Sequence, residues 1–578
     1  MPTSRVTTFI DLFALALATA SASAHPHPPF RLNYTVSVTS TPVSATQIQP
    51  PPPPPPEQVT VLAALDAAPT RNSTTIATIE VDVMPFLGRE SNGKTGGGPH
   101  DEAFHWLGQL GADMVRFAPW FPNPGLVVAE LHPPNCSRNY SSWNVTLLDA
   151  IYADFAAAVG EHSVAMQLST LPGWMFSDGM PWADCDQDPW APCMSYGRQG
   201  IAMRDPTCGE AARYIARLVG WFTQGGATDE CGTWHPSGHH HKWALLSVLN
   251  EVQHEHFGPD PDRHFGPWGS GAANYTKCYD AIVAESRKVY PDLKFVGPEL
   301  GPEGWDGEHA TQFLEYFLDG ANHADGKAPD YASFHYPAGA LCGAPPVRAD
   351  SSAYFQKLDC WITGAVADVE RIRQRIAPKA GLLCNEIYDG DGSGVSRGKM
   401  IPTASWNLAA SWFGYAVGNL AEIGVKVVGQ DQLAGGPSPD NSASVSCLDW
   451  ATGRPNAKYY SIQMVAAAFG VGTHGVDGVV KTLYKSTNTS AIYALPFTRY
   501  AANGTADGVR RLLLSSKLSR PMVVTLKGGW CEAGTARVLE AGAGPDSEPG
   551  FDPPVDRAVT DGVLTLGAYA LATVECGR

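Results

Sequence analysis

Two glutamates that end short apolar runs are the residues of this chain best suited to chemistry. Glu251 follows the run 244–249 and Asn250, and Glu386 ends the run Gly381-Leu-Leu-Cys-Asn-Glu. A short apolar run between polar residues is typical of a buried strand in a parallel sheet. Carboxylates at the carboxyl ends of two such strands are the pair that glycoside hydrolysis requires. One serves as acid/base, and the other as nucleophile or as the base that activates water.

The elements that must position these glutamates appear as alternating apolar runs and amphipathic stretches from Thr78 to about Gly470. Strands are predicted at 79–83, 114–117, 164–168, 244–249, 294–297, 331–335, 381–386 and 425–429. Helices are predicted at 100–110, 144–159, 205–224, 275–290, 308–318, 352–376, 404–423 and 459–469. Eight such pairs in succession predict the α/β class and a (β/α)8 TIM barrel over 76–470.

The segments on either side of the predicted barrel have different patterns. Beyond Gly470, short alternating segments separated by glycine, asparagine and aspartate predict a small all-β sandwich domain over 471–578. Residues 25–75 are rich in proline, serine and threonine, and seven consecutive prolines from Pro50 form a stiff rod, so a linker is predicted there. Segments near 34–38 and 58–62 leave open that a strand from this region joins the sandwich.

The first 24 residues resemble a secretory signal peptide. Arg5 supplies the positive charge, residues 9–20 are mainly apolar, and Ala22-Ser-Ala24 matches the small-x-small cleavage pattern. The alternative is a short membrane anchor, but the apolar run is shorter than the roughly 20 residues that a span needs. We therefore expect a secreted, extracellular protein with no membrane span.

Composition and motifs narrow the set of partners. The net charge is −17 and no run of lysine or arginine is present, which argues against nucleic acid as a partner. No glycine-rich phosphate or dinucleotide motif follows a predicted strand, and no G-x-S-x-G motif lies in a strand-turn-helix context. The sequence therefore indicates no cofactor.

Twelve cysteines and eight Asn-x-Ser/Thr sequons fit secretion. In an oxidising compartment disulfides are expected, and Cys185–Cys193, Cys342–Cys360 and Cys531–Cys576 are candidate local pairs. Cys384 lies inside the strand of Glu386 and is expected to be a buried free thiol. The sequons, which indicate glycosylation, are at Asn33, Asn72, Asn135, Asn139, Asn144, Asn274, Asn488 and Asn503.

The Asn250-Glu251 pair at the end of strand four and Glu386 at the end of strand seven resemble the retaining glycosidases of clan A. Within that clan the chain most resembles glycoside hydrolase family 39, which contains β-xylosidases and α-L-iduronidases. The resemblance covers the whole predicted barrel. It implies that Glu251 is the acid/base, that Glu386 is the nucleophile, and that Asn250 donates a hydrogen bond to the 2-hydroxyl of the sugar.

Five further residues are candidates for substrate binding. Arg116 on strand two and His335-Tyr336 on strand six resemble residues that the clan keeps beside its nucleophile. Glu299, in Gly-Pro-Glu-Leu after strand five, is a rival carboxylate that we expect to bind sugar or to be structural. Trp174 lies in a catalytic-face loop, where an indole ring can stack on a sugar. Each has a structural alternative: Arg116 can pair with a core carboxylate, and His335 can be a satisfied buried histidine.

Histidines concentrated around strand four raise the possibility of a metal site. No HExxH or similar ligand spacing is present, and the run His239-His-His241 lies in a glycine- and serine-containing loop, so no metal is predicted. The histidines concerned are His235, His239, His240, His241, His254 and His256.

The sequence as a whole predicts a secreted retaining glycoside hydrolase that acts on a carbohydrate substrate, with β-xylosidase-like activity as one candidate. The alternatives are an inactive barrel that binds carbohydrate and a transglycosylase that uses the same residues. The sugar, exo or endo action and the oligomeric state are left open.

Overall fold

Eight parallel strands that close into a barrel form the larger part of the protein. In the computed structural model each strand pairs with the next along the chain, and the last pairs with the first. The strands are β1 Ile76–Asp82, β2 Met114–Ala118, β3 Ser163–Leu168, β4 Trp243–Val248, β5 Lys294–Leu300, β6 Tyr331–Pro337, β7 Gly381–Tyr388 and β8 Val427–Gln430. The predicted TIM barrel is confirmed.

The structure describes residues 55–82, 100–119, 128–168, 171–177, 203–251, 268–301, 308–337, 352–388, 405–434, 446–449, 452–470, 475–500, 504–542 and 550–577. The predicted signal peptide lies outside them. None of the helices in these ranges has both the length and the apolar character needed to cross a membrane.

Each barrel strand is followed by helical chain. The helices are α1 His100–Gln109, α2 Thr146–Val159, α3 Gly209–Thr223, α4 Trp268–Val289, α5 Glu308–Leu318, α6 Ser352–Trp361 continuing through a π-turn at Ile362–Val366 into Ala367–Ile376, α7 Ser405–Ile423 and α8 Ala457–Phe469. Short 3-10 turns lie at Cys136–Arg138, Gly173–Met175, Gly320–Asn322 and Gly475–Asp477. Helix α3 begins later than the predicted Asp205, because Asp205 accepts hydrogen bonds from the backbone N–H groups of Thr207 and Glu210 in a turn that precedes the helix.

Successive side chains of each strand point alternately into the barrel interior and towards the surrounding helices. One inward layer is apolar and consists of Ile76, Met114, Ala165, Leu245, Val296, Tyr331, Leu383 and Val427. Towards the carboxyl ends of the strands, buried positions become polar: Glu80, Arg116, Gln167, Ser247, Ser333 and Asn385 are all buried. The barrel interior is therefore apolar at one level and polar towards the carboxyl ends of the strands. TIM-barrel enzymes have their active sites at that end.

Two sheets at the C-terminal end share a second hydrophobic core. The larger runs in the order Val555–Val559, Gly534–Leu539, Leu571–Cys576, Ala506–Ser516, Ile492–Tyr500, Lys481–Leu483, Arg71–Ser73, with Thr487–Asn488 paired to Ile492–Tyr500. The smaller contains Glu57–Leu62, Met522–Lys527 and Val563–Leu566. The sheet domain expected after the barrel is therefore present.

The predicted linker over 25–75 requires correction at its C-terminal end. Residues 57–62 form a strand parallel to 522–527, and 71–73 pair with 481–483, so this part of the chain is folded into the two sheets. The physical reason is an alternation in which Val59 and Val61 pack on the second core while their neighbours face outwards. The alternative segment 34–38 lies outside the described residues.

Disulfides and a small hairpin complete the fold, and three disulfides have both cysteines among the described residues. Cys531–Cys576 is confirmed, and the other described pairs, Cys136–Cys231 and Cys208–Cys278, bridge distant segments that local spacing did not suggest. Cys360 is disulfide-bonded, but Cys342, Cys185 and Cys193 lie outside the described residues. Cys384 is a buried free thiol as predicted. The hairpin pairs Gly226–Thr228 with Trp234–Pro236.

Candidate active site

Local backbone irregularities aim both glutamates into the barrel mouth. After β4, Leu249 and Glu251 adopt positive φ angles of 62° and 44°, which are uncommon for residues other than glycine and are often found at functional sites. In β7 the register with β8 shifts between Cys384 and Ile387. Those two residues pack in the apolar core, whereas Asn385 and Glu386 between them reach polar partners in the site.

His335 of β6 lies between the two glutamates. Its Nδ1 is 2.9 Å from Oε1 of Glu251 and 3.3 Å from Oε2 of Glu386. One ligand-type oxygen of each glutamate lies within 4.8 Å of the other. Both glutamates keep 11% of the side chain exposed, whereas that of His335 is fully buried, so the carboxylates are the groups that a ligand can touch.

Arg116 joins four strands beneath the glutamates. Its Nη1 donates to Glu80 at 2.5 Å and to Glu386 at 3.1 Å, and its Nη2 donates to Gln167 at 2.5 Å. Asn250 accepts from Nη2 of Arg116 at 3.4 Å and from Nε2 of Gln167, which fixes the orientation of its amide. Burial lowers the pKa of Arg116, but Glu80, Glu299 and Glu386 raise it by more, so the guanidinium remains charged.

Glu299 of β5 is a fully buried carboxylate that supports His335 from the far side. Its Oε2 lies 3.1 Å from Nε2 of His335, and its Oε1 accepts from Nδ2 of Asn385 at 2.9 Å. Burial raises the pKa of Glu299, but the hydrogen bond from His335 and the charge of Arg116 outweigh it and bring the pKa to about 2. Glu299 therefore positions other groups rather than touching a substrate.

His335 carries a positive charge in this environment. Burial lowers its pKa, but the charge of Glu386 and the hydrogen bonds with Glu251 and Glu299 raise the pKa well above its usual value. As an imidazolium it donates from both ring nitrogens. The structure therefore has a positive charge 2.9 Å from Glu251 and 3.3 Å from Glu386.

Two acidic residues that sequence reasoning missed complete the site. Glu80 lies on β1 and Asp431 directly after β8, and each has a carboxylate oxygen within 4.8 Å of the other and of Glu386. Burial raises the pKa of Glu80 well above its usual range, although the charge of Arg116 acts in the opposite direction. The signal in the sequence was a charged residue at an inward position of the apolar run Ile79-Glu-Val.

The predicted substrate-binding residues divide into two groups. Arg116, Asn250, Glu299 and His335 meet in the network that surrounds the glutamates, but Tyr336 does not. Side chains alternate along a strand, so the inward direction of His335 sends its neighbour outwards. The Tyr336 ring packs against Trp361 and Trp412 of α6 and α7, at centroid distances of 4.1 Å and 5.7 Å.

The described contacts of Trp174 are with neighbouring loops. Its indole Nε1 donates to the backbone carbonyl of Glu130 at 2.9 Å, and the guanidinium of Arg204 lies 4.9 Å above its ring. Both contacts belong to the loops after β2 and β3. The structure therefore gives Trp174 a loop-packing role.

Two of the four described histidines of the predicted cluster bind aspartates at the other end of β4. His235 pairs with Asp229 at 2.9 Å, and His239 pairs with Asp149 at 2.7 Å. Both histidines lie between α3 and the beginning of β4, whereas Glu251 follows its carboxyl end. His254 and His256 lie outside the described residues.

Two clusters of three residues in the site have ligand atoms close enough together to surround an ion. The first is Glu251, His335 and Glu386, and the second is Glu80, Glu386 and Asp431. A histidine binds metal through a neutral ring nitrogen, whereas His335 directs both nitrogens to carboxylates and has a raised pKa. The first group is therefore poorly suited to a metal. In the second, Arg116 already supplies positive charge to Glu80 and Glu386.

Solved glycosidases share this fold. A monomeric β-xylosidase from Caulobacter crescentus CB15 matches with a TM-score of 0.53 and 14% identity over 89% of this chain and 99% of that chain. A bifunctional glucanase-xylanase, CelM2, from a metagenome library gives 0.52 and 14% over 90% and 99%. A family 39 β-xylosidase from Caulobacter crescentus gives 0.51 and 13% over 90% and 100%. No protein-family model and no curated protein matches the sequence.

Proposed function

We propose that this protein is a retaining O-glycoside hydrolase in which Glu251 is the acid/base and Glu386 is the nucleophile. The observation that carries the proposal is the short distance between the two glutamates, whose oxygens approach within 4.8 Å. Carboxyl groups about 5 Å apart are typical of retaining enzymes, whereas inverting enzymes keep roughly 6.5–9.5 Å to accommodate a water. The fold shared with glycosidases supports the same reaction class.

In the first half of the proposed reaction, the protonated carboxyl group of Glu251 gives its proton to the glycosidic oxygen. The carboxylate of Glu386 attacks the anomeric carbon, the bond to the leaving oxygen breaks, and the aglycone departs as an alcohol. In the second half, the Glu251 carboxylate takes a proton from water while the water oxygen attacks the anomeric carbon. The glycosyl ester breaks and Glu386 returns as a carboxylate.

The surrounding residues fit these roles. Arg116 donates to Glu386 at 3.1 Å and so holds the carboxyl group that is proposed to attack in a fixed position. His335 donates to one oxygen of Glu251 at 2.9 Å and thereby fixes the direction of its carboxyl group. Asn250, held by Gln167 and Arg116, is the group that we propose binds the 2-hydroxyl of the sugar.

The site electrostatics favour a neutral sugar. Even without Glu251, which must carry a proton as the acid, and the buried Glu80, the acidic residues Glu299, Glu386 and Asp431 outnumber the cations Arg116 and His335. The carboxylate of a uronic acid would be repelled by this excess of acidic residues. Among the two activities of the family that the sequence resembles, we therefore propose a β-xyloside-type substrate over an iduronide.

The test is hydrolysis of aryl xylosides, glucosides, galactosides, arabinosides and iduronides by wild type, Glu251→Ala and Glu386→Ala. Loss of the nucleophile should lower turnover by at least about 10⁴-fold. Loss of the acid/base should spare substrates with good leaving groups, since these need no proton. Added azide should then give a glycosyl azide of retained configuration with Glu251→Ala and of inverted configuration with Glu386→Ala.

The matched control is Glu315→Ala, which removes a surface glutamate of α5 that pairs with Arg375. It should leave the activity unchanged. Full activity in both active-site variants would refute the assignment, and no cleavage by the wild type would favour the carbohydrate-binding alternative. We also propose that the protein is secreted, which is supported by its disulfides and is tested by recovery from the culture medium.

A further inference from the structure

Glu80 is a buried acid in the site that the proposed mechanism does not use. It is 1% exposed and lies on β1, on the opposite side of Arg116 from Gln167. Its Oε2 accepts from Nη1 of Arg116, the same nitrogen that donates to Glu386. One guanidinium nitrogen is therefore shared between Glu80 and the candidate nucleophile.

The charged groups that face Glu80 come from four other strands. They are Arg116 on β2, His335 on β6, Glu386 on β7 and Asp431 after β8. Three carboxyl groups, those of Glu80, Glu386 and Asp431, have oxygens within 4.8 Å of one another. Three ionised carboxylates at that spacing in a buried site would repel one another strongly, so one of them is expected to retain a proton.

The hydrogen bonds indicate which of the three holds the proton. Oε1 of Glu80 is buried and has no hydrogen-bond partner among the described residues. An ionised carboxylate would leave charge on that buried oxygen without compensation, whereas a neutral carboxyl group places no net charge there and has a smaller cost of burial. Glu386 must be ionised to act as a nucleophile, and burial raises the pKa of Glu80.

We infer that Glu80 is a positioning residue that stays protonated in the working enzyme, so that the charge of Arg116 is available to Glu386. The effect of Glu80 on activity rests on the proposed function, whereas its protonation does not. If Glu80 lost its proton, it would compete with Glu386 for the same guanidinium nitrogen and would add a third negative charge beside it. Loss of that proton should therefore lower activity at alkaline pH.

The first test is independent of activity. Infrared spectra of wild type and Glu80→Gln at neutral pH are compared in the carbonyl-stretching region of protonated carboxylic acids. The wild type should show a band that Glu80→Gln lacks, because the amide replaces the acid. The absence of any band lost in the variant would overturn the inference, whether or not the protein cleaves a glycoside.

The second test separates Glu80 from the acid/base. With Glu251→Ala and an aryl glycoside that has a good leaving group, no proton is needed from residue 251, so any remaining alkaline loss of kcat/KM reports another acid. Adding Glu80→Gln should raise the pH at which kcat/KM falls by about one to two pH units. It should also lower kcat. An unchanged alkaline limb would overturn the inference.

Asp431→Asn supplies a second variant whose effect has the opposite sign. Its carboxylate raises the pKa of Glu80, so its removal should let Glu80 lose its proton more easily and move the alkaline limb to lower pH. No downward shift in Asp431→Asn would contradict the inference even if Glu80→Gln did not fold. If the infrared band is lost as expected but the wild type cleaves no glycoside, the proposed function fails and the protonated Glu80 stands.

Discussion

Replacement of Glu299 by glutamine should destabilise the protein in a manner that depends on pH. The carboxylate is fully buried and accepts from His335 and Asn385. A pKa lowered from 4.5 to about 2 corresponds to about 3 kcal/mol of unfolding free energy at neutral pH. Glutamine removes the charge, and its amide nitrogen must then face a donor on either His335 or Asn385.

The sign of the pH dependence follows from the direction of the shift. A group whose pKa is lower in the folded state contributes stability above its unfolded pKa and loses it as the pH falls through the folded value. The difference between wild type and Glu299→Gln should therefore be about 3 kcal/mol near pH 6–7 and fall to about half of that at pH 3. His335 has a raised pKa, so its own contribution is present below about pH 6.5 and is lost only as the pH rises through the higher folded value.

The assay is urea unfolding followed by tryptophan fluorescence at several pH values between 3 and 7. Glu315→Gln is the matched control, because Glu315 forms an exposed ion pair with Arg375. That pair should contribute less than about 1 kcal/mol to the unfolding free energy. A stability difference that stays constant from pH 3 to pH 7 would show that the charge of Glu299 is not its source. A Glu299→Gln protein as stable as wild type would refute the network argument altogether.

Three further predictions concern neighbouring residues. Arg116→Lys should lower kcat by about 10²-fold or more in the aryl glycoside assay, because an ammonium cannot reproduce the fork that joins several strands. Tyr336→Phe should change kcat and KM less than about twofold, because the ring packs outside the barrel interior. Gly429→Ala should lower the unfolding free energy by about 1–3 kcal/mol, since the added Cβ would lie 2.3 Å from the carbonyl oxygen of Asn385, next to Glu386. Gly364→Ala is the control, because a Cβ at that position meets no atom within 4 Å.

Periodicity in the sequence determined the fold class and most of the elements. Helix α5 was predicted with its observed bounds, because local apolar spacing reports directly on which face is buried. The two glutamates were identified because each ends a run too apolar to be anything but a buried strand. The alternation of side chains along a regular strand also argued against Tyr336 as a site residue, since it places His335 and its neighbour on opposite faces.

Only the tertiary structure decided which polar residues meet. Glu80, Gln167 and Asp431 come from three different strands, and no local pattern pairs them with Arg116 or Glu386. The strand 57–62 belongs to the C-terminal sheets because it pairs with 522–527 across more than four hundred residues, a contact that sequence spacing does not encode. The apolar pattern of a strand specifies that it is buried, whereas its partners and the charge state of its inward groups depend on which strands close around it.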